Sequence, residues 1–285
     1  MGSGHPRGRG HRRGPGGQRL SGLRVLVTND DGIAAPGLAA LAAAVARLGH
    51  DVVAAAPASD HSGASSAIGP MGARDGVREG VAVTPVELEG APGVTAFAVD
   101  APPALAVIVA RLGAFGDSPD VVVSGINPGP NTGRSVLHSG TVGAALTAAN
   151  MGLSGLAVSV VAGDPTHYDT AAVVAAGALG WVAASPPKTV LNVNVPNLPL
   201  ADVLGVQAAR LAPFGTVRTS IGEEVDGRLQ VELRETEDEL DADTDTALVL
   251  AGYVAVTALV GIRADDDADA AVAVERALGL SPAAS

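Results

Sequence analysis

The chain has 285 residues, of which 47% are hydrophobic and only 2% aromatic, so Ala, Val and Leu must build its core. It contains no cysteine, which excludes a disulfide framework, a thiolate metal site and a cysteine nucleophile. The net charge of −12 is uneven, because residues 1–24 carry six arginines and no acid, which leaves −18 on the remainder. Such an acidic body excludes a general nucleic-acid-binding protein, and we expect no stable nucleic-acid partner.

Residues 1–22 are rich in Gly, Arg and Pro and show no apolar periodicity, which predicts a disordered basic tail. This tail contains no apolar segment of the signal-peptide type. No stretch of the chain reaches the ~18 uninterrupted apolar residues of a membrane span. We therefore expect a cytoplasmic protein with no membrane partner.

The apolar run that begins at residue 23 predicts a buried strand, which ends at an Asn-Asp-Asp-Gly corner. Pro36 then opens a helix predicted over residues 39–48. Ligands of open α/β sheets bind outside the carboxyl ends of the strands. Adjacent carboxylates raise each other's pKa unless a cation neutralises them, so Asp30 and Asp31 indicate a site for a hard divalent cation. The alternative is a solvated Asp-Asp-Gly turn.

Strands and helices then alternate along the chain, with a Ser-rich loop at residues 58–66 and a short antiparallel excursion predicted between residues 69 and 95. Further strands are predicted at 51–56, 95–99, 120–124, 155–161 and 189–195, and further helices at 102–112, 139–151 and 168–183. This alternation predicts an α/β fold with a Rossmann-like, doubly wound, mostly parallel sheet over residues 23–196.

Residues 125–133 contain three Gly, two Pro and two Asn, which predicts an irregular loop at the carboxyl end of the 120–124 strand. Ser139, Gly140 and Thr141 follow it and open an Ala-rich helix. Two hydroxyls beside free N–H groups at a helix N-terminus form an anion site, but they also fit an ordinary Ser/Thr N-cap. Both interpretations stay open from these residues alone.

After Pro196 the pattern changes, and residues 197–285 are predicted to form an extension to the core. Antiparallel strands are predicted at 203–207, 216–220 and 228–233, an acidic loop at 235–245, a return strand at 251–257 and a closing helix at 264–278. Asp265, Asp266 and Asp267 lie at the start of that helix, where complementarity to the helix dipole explains them better than a metal cluster.

Three loops are therefore predicted to converge on one edge of the sheet. They are the Asp30–Asp31 corner, the loop with Ser62 and the segment from Asn127 to Thr141. Two carboxylates, a hydroxyl and an amide suit Mg²⁺, Mn²⁺ or Ca²⁺ rather than zinc. With an anion-binding helix N-terminus beside it, this donor set indicates metal-assisted phosphoester hydrolysis.

Seven motifs of the chain resemble motifs of the SurE family and occur in the same order as in that family. The resemblance covers about residue 23 to residue 260. They are residues 25–33 (VLVTNDDGI), 35–37 (APG), 61–63 (HSG), 124–133 (SGINPGPNTG), 139–145 (SGTVGAA), 191–196 (LNVNVP) and 252–257 (GYVAVT). The resemblance implies a 5′-nucleotidase, a divalent-metal-dependent phosphatase that hydrolyses nucleoside 5′- and 3′-monophosphates with metal-activated water. Short polyphosphate is a further substrate that it implies.

The same resemblance implies roles for individual residues. One divalent cation per subunit, Mg²⁺ or Mn²⁺ and in crystals also Ca²⁺, would be held by Asp30, Asp31, Ser62 and Asn127, with the two aspartates also catalytic. Asn131, Ser139, Gly140 and Thr141 would face the phosphate. The family fold adds a β-hairpin and C-terminal extension used in oligomerisation, so a homodimer or homotetramer is expected.

Two other classes of protein share features with this sequence. A phospho-acceptor signalling domain also carries an acidic pair after its first strand, but it is shorter and needs a Lys after its fifth strand. The only lysine of this chain, Lys188, precedes its strand. A catalytically silent metal- or nucleotide-binding regulator on the same fold would be favoured by loss of a metal ligand, and none is lost.

Overall fold

The structure, a computed structural model, describes residues 22–69, 73–74, 77–78, 80–215, 217–225, 228–235, 240–263 and 270–278. The predicted basic tail, apart from its last residue, lies outside the described residues, as do Asp265, Asp266 and Asp267. In the part of the chain that is described, no helix is long and apolar enough to cross a membrane.

The described residues form thirteen strands and six α-helices. The strands are β1 (Arg24–Thr28), β2 (Asp51–Pro57), β3 (Ala73–Arg74), β4 (Val77–Arg78), β5 (Val83–Val86), β6 (Thr95–Val99), β7 (Val121–Pro128), β8 (Ser154–Val160), β9 (Val190–Val195), β10 (Val206–Ala208), β11 (Val217–Val225), β12 (Arg228–Glu235) and β13 (Val254–Leu259). The helices are α1 (Pro36–Arg47), α2 (Pro103–Arg111), α3 (Gly140–Asn150), α4 (Tyr168–Ala184), α5 (Asp245–Leu250) and α6 (Ala270–Ala277). Single 3₁₀ segments cover Gly133–His138 and Leu200–Asp202.

Nine strands form one sheet in the order β10-β13-β9-β8-β7-β1-β2-β6-β5. The six central strands, β9 to β6 in this order, are mutually parallel, which confirms the predicted α/β fold with a mostly parallel sheet. From β1 the chain proceeds to β2 on one side, and β7 later joins β1 on the other. The strand order therefore reverses between β1 and β7, which is where open α/β sheets bind ligands.

Helices cover both faces of the sheet. Helix α1 packs beside α4 on one face, and α2 packs beside α3 on the other. Leu38, Leu41 and Val45 of α1 follow helical spacing and are completely buried. Small side chains keep these layers close, as at Gly37, where a Cβ atom would lie 2.1 Å from the backbone oxygen of Ile126 in β7. The start of α1 therefore packs directly on β7, beside the switch point, the place between β1 and β7 where the strand order reverses.

Strand β7 is longer than the sequence predicts. It continues through Gly125–Pro128, so the expectation that residues 125–133 hold no regular structure is wrong for this half. The ladder with β8 shifts between Ser124 and Asn127, and Gly125 has a φ of +133°. A Cβ at Gly125 would lie 2.2 Å from the oxygen of Val158, so glycine permits the strand to bend without leaving the sheet.

The sheet also continues beyond β9, which the sequence predicts as its last core strand. Strand β13 pairs antiparallel with β9, and β10 pairs parallel with β13 rather than antiparallel as expected. Val254 and Ala255 of β13 are buried, so this strand covers an apolar edge that β9 would otherwise expose. The predicted antiparallel pairing of β11 with β12 is present. Within the predicted excursion at residues 69–95, β3 and β4 pair antiparallel, whereas β5 pairs antiparallel with β6, which the sequence predicts as a separate strand.

Candidate active site

The corner after β1 presents two carboxylates at the switch point. Asn29 is buried and donates from Nδ2 to the backbone oxygen of Gly32 at 3.0 Å, which closes the corner. Gly32 takes a φ of +104°, a conformation that glycine adopts without strain. The backbone N–H of Ile33 then bonds the oxygen of Pro57 at 2.8 Å, which ties the corner to the end of β2.

Asp30 is only 3% exposed and faces the beginning of α3. Its Oδ1 accepts a hydrogen bond from the Thr141 hydroxyl. A Cβ at Gly140 would lie 2.7 Å from Asp30 Oδ2, so only glycine allows the helix to begin this close to the carboxylate. Burial raises the pKa of Asp30, while the Thr141 hydroxyl and the backbone N–H groups of Thr141 and Gly140 oppose that rise.

The charged form of Asp31 is strongly disfavoured by its surroundings. Burial, followed by the charges of Asp30 and Asp60, raises the pKa of Asp31 to about 7. Its Oδ2 is buried and has no hydrogen-bond partner among the described residues. A buried carboxylate oxygen with no donor, beside a second carboxylate, is the arrangement that a bound cation would neutralise. The acid pair therefore fits a divalent cation.

Asn127 lies beside the Asp30 carboxylate, because both side chains contact the hydroxyl of Thr141. Its Nδ2 donates to the oxygen of Gly129 at 2.6 Å, and its Oδ1 lies 3.4 Å from the Thr141 hydroxyl. The Thr141 oxygen therefore lies between Asp30 and Asn127, and the structure brings these three predicted residues together.

Ser62 lies in a loop that the structure fastens to the same edge. The backbone N–H of His61 donates to the oxygen of Asp30 at 2.8 Å. The Ser62 hydroxyl donates to Asp60 Oδ1 at 2.6 Å, which leaves its lone pairs available to a cation. Among the residues described, no three His, Cys, Asp or Glu side chains form a metal-binding group. A cation at this edge would therefore need further oxygen atoms beside the acid pair, and the hydroxyl of Ser62 and the amide of Asn127 are the predicted ones.

Ser139 is the N-cap of α3, and its Oγ accepts from the backbone N–H of Val142 at 3.1 Å. The N-cap interpretation is therefore correct for this residue. The anion that faces the start of the helix is the carboxylate of Asp30. A phosphate contact by Ser139, Gly140 and Thr141 stays a prediction.

Asn131 is held by side chains of β8 and β9. Its backbone N–H donates to Asn194 Oδ1 at 2.8 Å, and its Nδ2 donates to Ser159 Oγ at 2.8 Å. Its backbone oxygen accepts from Asn192 Nδ2 at 2.8 Å and from Asn194 Nδ2 at 3.0 Å. Four hydrogen bonds thus fix this residue of the loop after β7.

Sequence reasoning assigned no role to several residues around the site. Tyr168, at the start of α4, has its pKa raised by burial and by the negative charge of Asp31, so it lies near the acid pair. Asp245 is completely buried and binds the backbone of the site loop at Gly133. Asn192 and Asn194 were visible as two amides alternating with apolar residues in a buried strand, whereas Asp245 lay in an acidic run that predicted a solvated loop.

Comparison with known proteins supports the family suggested by the motifs. The family model described as survival protein SurE matches residues 25–216. A protein named 5′-nucleotidase SurE from Xanthomonas campestris pv. campestris is 40% identical over 193 residues, covering 66% of this chain and 70% of its own. A protein of the same name from Legionella pneumophila (strain Lens) is 35% identical over 243 residues, covering 83% of this chain and 90% of its own.

The fold agrees with this result. The crystal structure of SurE protein from Aquifex aeolicus superposes with a TM-score of 0.73 at 27% sequence identity, covering 89% of this chain and 99% of that chain. The family model spans more than half of the chain and includes the acid pair, Ser62, Asn127 and the start of α3. The chain belongs to the SurE family.

Proposed function

We propose that this protein is a divalent-metal-dependent 5′-nucleotidase that releases phosphate from nucleoside 5′- and 3′-monophosphates, with short polyphosphate as a further substrate. Membership of the SurE family, with relatives named 5′-nucleotidase SurE, supports a nucleotidase. The observation that carries the proposal is the acid pair at the switch point, where Asp31 has a buried oxygen without a donor among the described residues. We further propose a cytoplasmic homodimer or homotetramer.

The proposed cation is one Mg²⁺ or Mn²⁺ per subunit, held by oxygen atoms of Asp30, Asp31, Ser62 and Asn127. When bound, a divalent cation polarises a phosphate oxygen and lowers the pKa of water. The chain prepares the site by fixing Asp30 through Thr141. Among the described residues, the charges that act on Asp31 are those of Asp30 and Asp60, both negative.

The residues of the chain have separate tasks in the proposed hydrolysis. Asn131 and the start of α3 orient the phosphate so that water attacks phosphorus opposite the nucleoside oxygen. Asp30 takes a proton of the attacking water on Oδ2, because its Oδ1 already accepts from Thr141. The phosphorus–oxygen bond to the nucleoside breaks, and the released nucleoside oxygen takes a proton from solvent. Asp30 then gives its proton back to solvent, so the products are inorganic phosphate and a nucleoside. Restricted solvent access to Asp30 strengthens these polar contacts.

The test is phosphate release from 5′- and 3′-monophosphates of the four common nucleosides and from tripolyphosphate. Each is assayed with EDTA and then with Mg²⁺ or Mn²⁺, beside the Asp30→Asn variant. We expect release that requires the metal and is abolished by Asp30→Asn in a protein that still folds. Release that persists in EDTA or in the variant would overturn the proposal. Silence across the panel, from a folded protein that still binds metal, would favour the regulator instead.

A further inference from the structure

Three polar side chains form a buried patch beneath the loop after β7. Ser159, Asn192 and Asn194 are each 0% exposed, and Ser159 is the register partner of Asn194 in the β8–β9 ladder. Their neighbours Leu191 and Val193 alternate with the two asparagines and pack in the core on the other face of β9. Amides in the interior of a strand are costly unless they are bonded, so this patch requires a reason.

All three side chains are directed at one residue, Asn131. Together they bind its backbone N–H, its backbone oxygen and its side-chain nitrogen, at distances of 2.8 to 3.0 Å. In the described part of the chain, no hydrogen bond engages Oδ1 of Asn131, and one hydrogen of its amide group also stays free. The backbone of Asn131 is therefore fixed, while part of its amide group is available to a ligand.

The patch is not optimised for stability. Oδ1 of Asn192 is buried and has no partner among the described residues, although its Nδ2 donates to the backbone oxygen of Asn131. A buried acceptor without a donor lowers the stability of the folded state. An apolar residue at this position would avoid that cost, and polar groups that lower stability in this way are concentrated at functional sites.

We propose that Asn192 and Asn194 are positioning residues for hydrolysis, which hold the backbone of Asn131 so that its amide group meets the phosphate. This inference rests on the proposed function, because it assigns the asparagines to the same site. Among the described residues, the side chains of Asn192 and Asn194 hydrogen-bond only to Asn131, so they act through that residue. Misplacing a substrate-binding group by about 1 Å can reduce the rate by about a hundredfold.

The experiment compares Asn192→Leu with a matched control, Thr257→Val. Thr257 is the register partner of Asn192 on β13, and its hydroxyl is likewise buried without a partner among the described residues. Each substitution removes a buried polar atom that has no hydrogen-bond partner among the described residues, at neighbouring positions of β9 and β13. Only Asn192→Leu also removes a hydrogen bond to Asn131. The readouts are kcat and KM for a nucleoside 5′-monophosphate, inhibition by inorganic phosphate, Tm, and hydrogen exchange of peptides containing residue 131.

We expect Asn192→Leu to lower kcat/KM about five- to tenfold, in line with the loss of one hydrogen bond. The inhibition constant for inorganic phosphate should rise, hydrogen exchange around Asn131 should accelerate, and Tm should equal or exceed that of the wild type. Asn194→Leu removes two bonds and should lower kcat/KM further, with a lower Tm. Thr257→Val should leave kcat/KM, phosphate inhibition and exchange unchanged.

Wild-type kcat/KM and phosphate inhibition in Asn192→Leu would overturn the inference, as would equal losses in Thr257→Val. A wild-type protein that hydrolyses no nucleotide would instead refute the proposed function. In that event hydrogen exchange still tests whether the two asparagines hold Asn131 in place. Faster exchange at residue 131 in Asn192→Leu but not in Thr257→Val would support their positioning role, and unchanged exchange would refute it.

Discussion

The two sides of the candidate site are built in opposite ways. On the acid side, formed by Asp30 and Asp31, burial raises both pKa values and one carboxylate oxygen has no donor in the described part of the chain. On the amide side, formed by Asn131 with Asn192 and Asn194, the backbone polar groups of Asn131 are bonded. The acid side therefore has unbalanced negative charge that a bound cation would neutralise, whereas side chains of the sheet bond the backbone of Asn131 on the amide side.

The sharpest test of this contrast is Asp31→Asn. Because the carboxylate of Asp31 is strained without a cation, its neutralisation should leave the metal-free fold intact while it removes a proposed ligand. We expect phosphate release to fall about a thousandfold, in the range seen when a key electrostatic group is lost. Tm in EDTA at pH 8 should equal or exceed that of the wild type. The control is Asp202→Asn, at an exposed carboxylate outside the site, which should keep full activity.

Gly140→Ala tests the contact where the acid side meets α3. The added Cβ would lie 2.7 Å from both Cβ and Oδ2 of Asp30, so either the helix start or the carboxylate must move. A shift near 1 Å should lower kcat/KM about 10- to 100-fold. Gly177→Ala in α4 is the matched control, because no atom lies within 4 Å of its added Cβ. That control should stabilise the protein by about 0.5–1 kcal/mol and leave activity unchanged.

Asp245→Asn probes a buried acid that, unlike the acid pair, is fully bonded. Its carboxylate accepts from the backbone N–H groups of Gly133, Ala212 and Thr246, each at 2.9 Å. An amide would place its NH₂ group against one of these donors, so the free energy of unfolding should fall by about 1–2 kcal/mol. Urea denaturation measures this change. The exposed Asp243→Asn is the control, and an equal loss there would contradict a special role for Asp245.

A further expected effect is a pH dependence of metal-free stability. The pKa of Asp31 is about 7 in the folded protein and near 3.8 when unfolded, so the folded state binds the proton more tightly. The contribution of Asp31 to stability is therefore fully present below about pH 4 and is lost as the pH rises through about 7. In EDTA, the wild type should lose stability relative to Asp31→Asn between pH 5 and pH 8, and Mg²⁺ should reverse the loss. A constant difference between the two proteins would contradict this assignment.

Most of the fold could be predicted because the parallel core follows local rules. Apolar runs such as residues 155–161 and 189–195 end near turn residues, and alternation with Ala-rich helices determines the doubly wound sheet. The course of the chain after Pro196 depends instead on edge pairing. The parallel partner of β10 and the antiparallel partner of β9 are both β13, which lies about fifty residues after β10. Local patterns predict that strand at 251–257, but they do not predict its two partners.

The acid side was readable in the sequence because Asp30 and Asp31 are adjacent and directly follow a strand. The other contacts join residues far apart in the chain. Asn131 meets Asn194 across 63 positions, and Gly133 meets Asp245 across 112. Composition even gave the opposite prediction for Asp245, since an acid in an acidic run is usually solvated. Only the three-dimensional structure shows that three N–H groups surround it.

The same long-range contacts explain how the β11–β12 hairpin is attached. Arg210 pairs with Asp243 at 2.7 Å, Ala212 with Asp245 at 2.9 Å, and Phe214 with Thr246 at 3.2 Å, so residues 210–215 and 243–246 run side by side. The segment that contains the hairpin therefore begins and ends at neighbouring positions, which these hydrogen bonds hold together. Loop-closure entropy therefore changes little with the length of what is inserted there. The hairpin could therefore be exchanged for another module with little change in closure entropy, because the contacts between residues 210–215 and 243–246 would remain.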